Sequence, residues 1–160
     1  MSLIYKTTDD DIKTIIKTAE AQLLHSNKHK FKISATWRKD IVPDYPGVYA
    51  LFDQNHVLLY IGETGNLRKR MSDICRTVNH TFRKQLARKK FGVDKKLKKF
   101  DKEVELQLDT FFEDSLYVNF IEVNFGRTEI EEHLITKHQE DLLNSEKKRK
   151  LKIQLDELEA

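Results

Sequence analysis

A mixed α/β domain, with three short strands set among helices, is what this sequence predicts. Three observations carry the prediction. Two apolar, β-branched and aromatic runs, VYALF at 48 to 52 and VLLYI at 57 to 61, are separated only by Asp53, Gln54, Asn55 and His56, which reads as a hairpin. A third run, LYVNFIEVNF at 116 to 125, alternates large apolar residues with Asn and Glu. Elsewhere apolar residues recur at helical spacing, and 160 residues with 39% hydrophobic content suit one domain with a real core.

In chain order, Thr8 and three aspartates precede Ile12, Ile15, Ile16, Ala19 and Leu23, a capped amphipathic helix with acids at its positive end. A polar stretch follows from His25 to Lys32, and Pro43 and Pro46-Gly47 punctuate the entry to the first strand. In the hairpin a two-residue turn would set Tyr49 directly opposite Tyr60, with Cβ atoms about 4.5 to 5.5 Å apart unless a bulge intervenes. Asn66 is placed to cap a helix carrying Leu67, Met71, Ile74, Cys75 and Val78, and Arg70 falls on that apolar stripe while Arg68 and Lys69 do not. Two further helices are expected between Thr81 and Lys102, divided by Gly92, with Phe82 and Leu86 on the first and Val93, Leu97, Phe100 and Val104 on the second. After the third strand, Gly126 is a stop and Thr128 caps a helix whose shared face holds Glu131, Leu134, Ile135, His138 and Leu142. Leu151, Leu155 and Leu158 mark a terminal helix.

The formal charge of +3 conceals a strong asymmetry. Between Asn66 and Lys102 stand 14 Lys and Arg against 3 Asp and Glu, and the rest of the chain holds 15 against 23. Such a cluster suits phosphate neutralisation and predicts salt-dependent nucleic-acid binding; it equally suits well-solvated helices. With a single cysteine, Cys75, the chain lacks the partners for an internal disulfide or a cysteine-rich zinc site. No stretch approaches the roughly 18 apolar residues of a membrane span, and no apolar signal region opens the chain, so a soluble, cytoplasmic protein is expected.

Two tyrosines side by side, an inward arginine and an inward glutamate next to a basic segment are parts that phosphodiester hydrolysis uses. A carboxylate holds a hard divalent cation, an arginine stabilises charge developing on phosphate, and a phenol accepts a proton when positive charge lowers its pKa from about 10. Each residue also has a purely structural reading. Tyr49 and Tyr60 could be a core pair, Arg70 could snorkel from its stripe, Thr128-x-x-Glu131 matches a capping box, and Gly62 and Gly65 could serve only a tight strand-to-helix connection. His133 and His138 are five apart, off the helical spacing of zinc ligands.

PGVY at 46 to 49, LYIGETGNLRKR at 59 to 70 and EIEEHLITKH at 129 to 138 together resemble the three signature blocks of the GIY-YIG endonucleases, over about Pro46 to Asn144. The resemblance implies a three-stranded antiparallel sheet flanked by helices, and cutting of nucleic acid with a divalent metal, magnesium or manganese. It makes Tyr49 and Tyr60 the paired tyrosines, one of them the general base; Tyr60 is the favoured one, with Tyr49 supporting it. Arg70 becomes the contact to the scissile phosphate, Glu131 the metal ligand, and Asn144 an auxiliary asparagine. His80 matches a histidine used by some members. Glu63 departs from the pattern, because many members carry lysine there; it is an auxiliary candidate that could bind metal or orient Arg70, or else a sign of altered activity.

The domain organisation expected is an N-terminal helical extension over 1–45, a nuclease-like domain over 46–144 with a basic helical insertion at about 80–115, and a C-terminal helix over 145–160. Arg68, Lys69, Arg76, Arg83, Lys84, Arg88, Lys89 and Lys90 are the expected nucleic-acid contacts, and the terminal helices offer a surface for oligomerisation. The function expected is metal-dependent DNA cleavage. A non-cleaving nucleic-acid-binding module of the same fold is the alternative, motivated by Glu63.

Overall fold

The computed structural model describes residues 9–140 and 142–144. Thr8, read as a helix cap, and the C-terminal helix expected over 145–160 lie outside the described residues. The chain opens with α1 (Asp9–Glu20), which runs into a π-helical turn at Ala21–His25, followed by β1 (His29–Lys30) and α2 (Ala35–Ile41). Next come β2 (Gly47–Phe52), β3 (Leu58–Thr64), α3 (Leu67–Asp73), α4 (Thr81–Phe91), α5 (Lys102–Asp114), β4 (Tyr117–Glu122) and α6 (Arg127–His138).

The sheet is antiparallel throughout, in the order β1-β4-β2-β3. Its three expected strands are β2, β3 and β4. The two-residue β1 is an addition that no apolar alternation announces, since His29 and Lys30 are both exposed. β2 is buried at every position because strands flank it on both sides and helices cover both its faces. Tyr49 and Leu51 point into a core shared with Leu67 and Met71 of α3, Phe82 and Leu86 of α4, and Leu108 and Phe112 of α5. Val48, Ala50 and Phe52 point the other way, to Ala19 of α1, Leu23 of the π turn, and Ile130, Leu134 and Ile135 of α6. The buried Asn119 of β4 donates to the carbonyls of Leu23 and Ser26, docking the π turn on the sheet. Glu20 pairs with Lys137 and His138, tying α1 to α6.

The hairpin register corrects the expected one, and for two separable reasons. The loop is wider than a two-residue turn: Asp53 N–H donates to Val57 O at 3.0 Å, the Asp53 carboxylate accepts from the backbone of Asn55 and Val57, and His56 takes φ 61°. A bulge follows, because Leu51 pairs with Tyr60 but Phe52 with Leu58, leaving Leu59 unopposed. Each feature moves the pairing by one residue, so Tyr49 lies opposite Gly62 rather than Tyr60. A one-residue slip would have sent the two tyrosines to opposite faces; two slips leave them on the same face, diagonally.

Helix ends also differ from the sequence reading. α3 stops at Asp73, and Val78 is exposed instead of on its stripe. α4 ends on Gly92 at φ 63°, but no helix follows it directly. Residues 92–101 are irregular, held by Arg88, which donates to the carbonyls of Lys95 and Leu97. α5 starts only where Asp101 accepts from Val104 N–H at 2.9 Å. At α6 the cap is Gly126, at φ 88°, so Thr128 caps nothing and the capping-box reading of Glu131 is excluded.

Candidate active site

Local geometry explains the glycine of the second signature block. A Cβ at Gly62 would lie 2.4 Å from the Tyr49 ring and hydroxyl, so the Tyr49 phenol occupies the space a side chain there would need. Tyr49 is only 1% exposed. Tyr60 is half-buried, and its ring stacks with that of Tyr49 at a centroid distance of 6.2 Å and an angle of 23°.

His80 closes this aromatic group. It is the N-cap of α4 and is buried, with its ring 5.4 Å from that of Tyr60. Its Nδ1 accepts from Phe82 N–H at 3.1 Å, and its Nε2 lies 2.9 Å from Tyr49 Oη. Burial, with the nearby Arg70 charge, pushes the imidazole down to about 4, so it is neutral at pH 7. A neutral ring that accepts at Nδ1 carries its proton on Nε2. His80 therefore donates to Tyr49 Oη, and the Tyr49 proton points elsewhere.

Arg70 supplies the charge. It sits half-buried on α3, and its Nε is buried without a hydrogen-bond partner among the described residues. Burial raises the pKa of Tyr49 well above 10, with Tyr60 adding to the rise and Arg70 opposing it. Burial raises Tyr60 too, and Arg70 pulls it back. Both phenols are neutral at pH 7. Arg70 also lines a polar cleft of about 240 Å³ with Thr64, Gly65, Asn66, Lys69 and Asp73. Asp73 lies close enough to raise the Tyr49 pKa, and the sequence reading missed it although it stands three residues beyond Arg70 on the same helix face.

Glu131 is buried on α6, in the layer across the sheet from the phenols. β3, which carries Tyr60, is the edge strand between the two layers. Among the described residues no three His, Cys, Asp or Glu side chains cluster into a metal cage. One buried carboxylate nevertheless fits a hard cation such as magnesium, which keeps most of its water and takes one or two protein oxygens. Glu63 is ion-paired to Arg127 at 3.1 Å, and Asn144 is bonded to the strand itself: its amide accepts from Ile61 N–H at 3.2 Å and donates to Ile61 O at 2.6 Å.

The basic segment divides into anchored and presented cations. Arg83, expected to touch nucleic acid, is 2% exposed and held by Glu105, Asp109 and Thr77 with its guanidinium over the Phe112 ring. Arg68 is tied to the carbonyls of Val42 and Lys39, and Arg88 braces the 92–101 loop. Lys84 is half-buried. Lys69, Arg76, Lys89 and Lys90 are exposed, as are Lys95, Lys96, Lys98 and Lys99, which sequence reasoning had assigned to a helix. Cys75 is half-buried with its thiol pushed up to about 11 by burial, so it is no nucleophile.

Residues 45–158 match the model of the GIY-YIG catalytic domain. The match spans most of the chain, which thus belongs to the GIY-YIG family and carries a nuclease-type domain, of a kind that generally works on nucleic acid with divalent metals. Comparison with curated proteins and with solved structures returns no match. No helix among the described residues is long and apolar enough to cross a membrane.

Proposed function

We propose that this protein is a divalent-metal-dependent endonuclease that hydrolyses phosphodiester bonds in DNA. The observation that carries the reading is Arg70: a guanidinium beside two stacked phenols, lining a polar cleft and with a buried Nε lacking a partner among the described residues, is a donor placed for an anion. In this reading Tyr60 first gives up its own proton to solvent, helped by the opposing pull of the Arg70 charge, and as a phenolate takes the proton of the attacking water on Oη; Tyr49 is enclosed, whereas Tyr60 keeps solvent contact. Tyr49, fixed by the His80 N–H and by its seat over Gly62, holds the Tyr60 ring in place. Arg70 stabilises the negative charge that builds on the phosphoryl oxygens. Glu131 would hold the cation, magnesium or manganese, which when bound supplies Lewis-acid stabilisation and favours deprotonation nearby. The exposed cations from Lys69 to Lys99 grip backbone phosphates without reading sequence.

Plasmid cleavage in magnesium, with Glu131→Gln and Tyr60→Phe in parallel, tests the reading. Each substitution is expected to lower the rate at least about 100-fold. Activity that survives both would remove the assigned roles. The raised pKa of both phenols favours a second reading, a nucleic-acid-binding module that does not cut. That reading predicts salt-sensitive DNA binding with no cleavage in magnesium or manganese.

A further inference from the structure

Helix α6 is moored to β3 at both ends. Arg127, its first residue, donates Nε–H to Glu63 Oε2 at 3.1 Å, and another guanidinium N–H goes to Asn124 O in the turn before the helix. Past the other end, Asn144 bonds both backbone groups of Ile61, and Leu143 N–H bonds Leu59 O, the carbonyl of the bulge residue, at 2.8 Å. Glu63 and Ile61 lie two apart, on one face of the strand.

The start of the helix matters more for chemistry. Glu131 follows Arg127 by one turn on the same helix face, and Glu63 follows Tyr60 by three residues on the strand. The side chains of Arg127 and Glu63 are 25% and 31% exposed, so their attraction is screened and adds little to stability. What the pair does is geometric. It joins the helix that bears Glu131 to the strand that bears Tyr60, across the boundary between the two layers, and the Asn124 carbonyl fixes the guanidinium from its other side.

We propose that Arg127, acting through Glu63, is a positioning residue: it pins the first turn of α6 to β3 and so fixes Glu131 against the strand carrying Tyr60. The effect on cation binding rests on the proposed function, in which Glu131 is the ligand. Arg127 was not singled out by the sequence reading, and its only signal there is its place four residues before Glu131.

Manganese titration by calorimetry on the full chain, together with hydrogen exchange of the α6 amides, tests this. Arg127→Ala and Glu63→Ala should each weaken manganese binding about tenfold, as loss of outer support to a ligand does. Both should speed exchange in the first turns of α6, while the melting temperature moves by no more than about 3 °C. The double substitution should be no worse than either single one, and the swap of Glu63→Arg with Arg127→Glu should recover most of the affinity. Glu131→Gln is the control and should abolish binding. If the unsubstituted chain shows no Glu131-dependent binding, the proposed cation site falls and this proposal with it. Glu131-dependent binding that is unchanged in Arg127→Ala and Glu63→Ala overturns the mooring alone, as do losses that add in the double.

Discussion

Arg70 and Arg83 come from the same basic segment and bear the same charge, yet the fold uses them in opposite ways. Arg83 is sealed between α4 and α5, where Thr77 takes its Nε, Glu105 and Asp109 take its Nη2 and Phe112 covers its face, while its Nη1 is buried without a partner among the described residues. Arg70 stands at the rim of a polar cleft with its Nε unmatched among the described residues and its field falling on Tyr49, Tyr60 and His80. A guanidinium ion-paired to two carboxylates is a structural part; Arg70, which shares its cleft with Asp73 but makes no ion pair among the described residues and lies beside neutral phenols and a neutral imidazole, has its charge left for a ligand. Burial alone does not separate the two, but the identity of the neighbours does.

The sharpest way to break this contrast is to truncate each arginine in turn. Arg70→Ala should lower DNA cleavage about 10²- to 10³-fold while leaving urea stability close to that of the unsubstituted chain. A loss of stability without loss of rate would put Arg70 in the same class as Arg83.

The neutral histidine on the Arg70 side gives the next largest effect, read through pH. The His80 pKa is about 4 when folded, against about 6.5 for an unperturbed histidine, so the unfolded chain binds the proton more readily. The stability due to this group is complete above pH about 6.5 and is lost as pH falls through 4, by up to about 3 kcal/mol. His80→Asn retains an acceptor for Phe82 N–H and should flatten that dependence in denaturation measured from pH 7 to 4. An unchanged slope would mean that His80 is not the group titrating.

Arg83→Leu should act on stability instead, costing about 2 to 3 kcal/mol in urea unfolding. The cost falls short of that for a fully buried pair because Asp109, 51% exposed, can rehydrate when its partner is gone. The folded fraction should cut DNA at nearly the normal rate. Smallest are the presented lysines: Lys98→Ser and Lys99→Ser should each reduce the slope of log binding constant against log salt by about 1, with no change in folding. The same measurement on Arg83→Leu should show no change in slope, which separates anchored from presented cations directly.

The hairpin, the third strand, the Asn66 cap and the inward aim of Arg70 were all legible from local patterns, because side-chain periodicity follows from the backbone repeat. The diagonal placement of Tyr49 and Tyr60 was not. It depends on a wide loop and on a bulge at Leu59 whose carbonyl is bonded by Leu143, more than 80 residues away in the chain. Nor was the division of the cations legible, since Arg83 looks like any basic surface residue until α5 brings Glu105 and Asp109 to it. His80 could be read as surface or site from its neighbours in sequence, and only the approach of Tyr49 Oη distinguishes them.

By itself, then, the sequence determined which elements form, which residue types the chemistry can draw on, and the family to which the chain belongs. Tertiary structure alone decided which charges are spent on other charges and which remain available, how the two phenols meet over Gly62, and how α6 is held to β3. The reason is physical: periodicity and capping act within a few residues, whereas desolvation, ion pairing and ring contacts depend on groups that only the folded chain brings together.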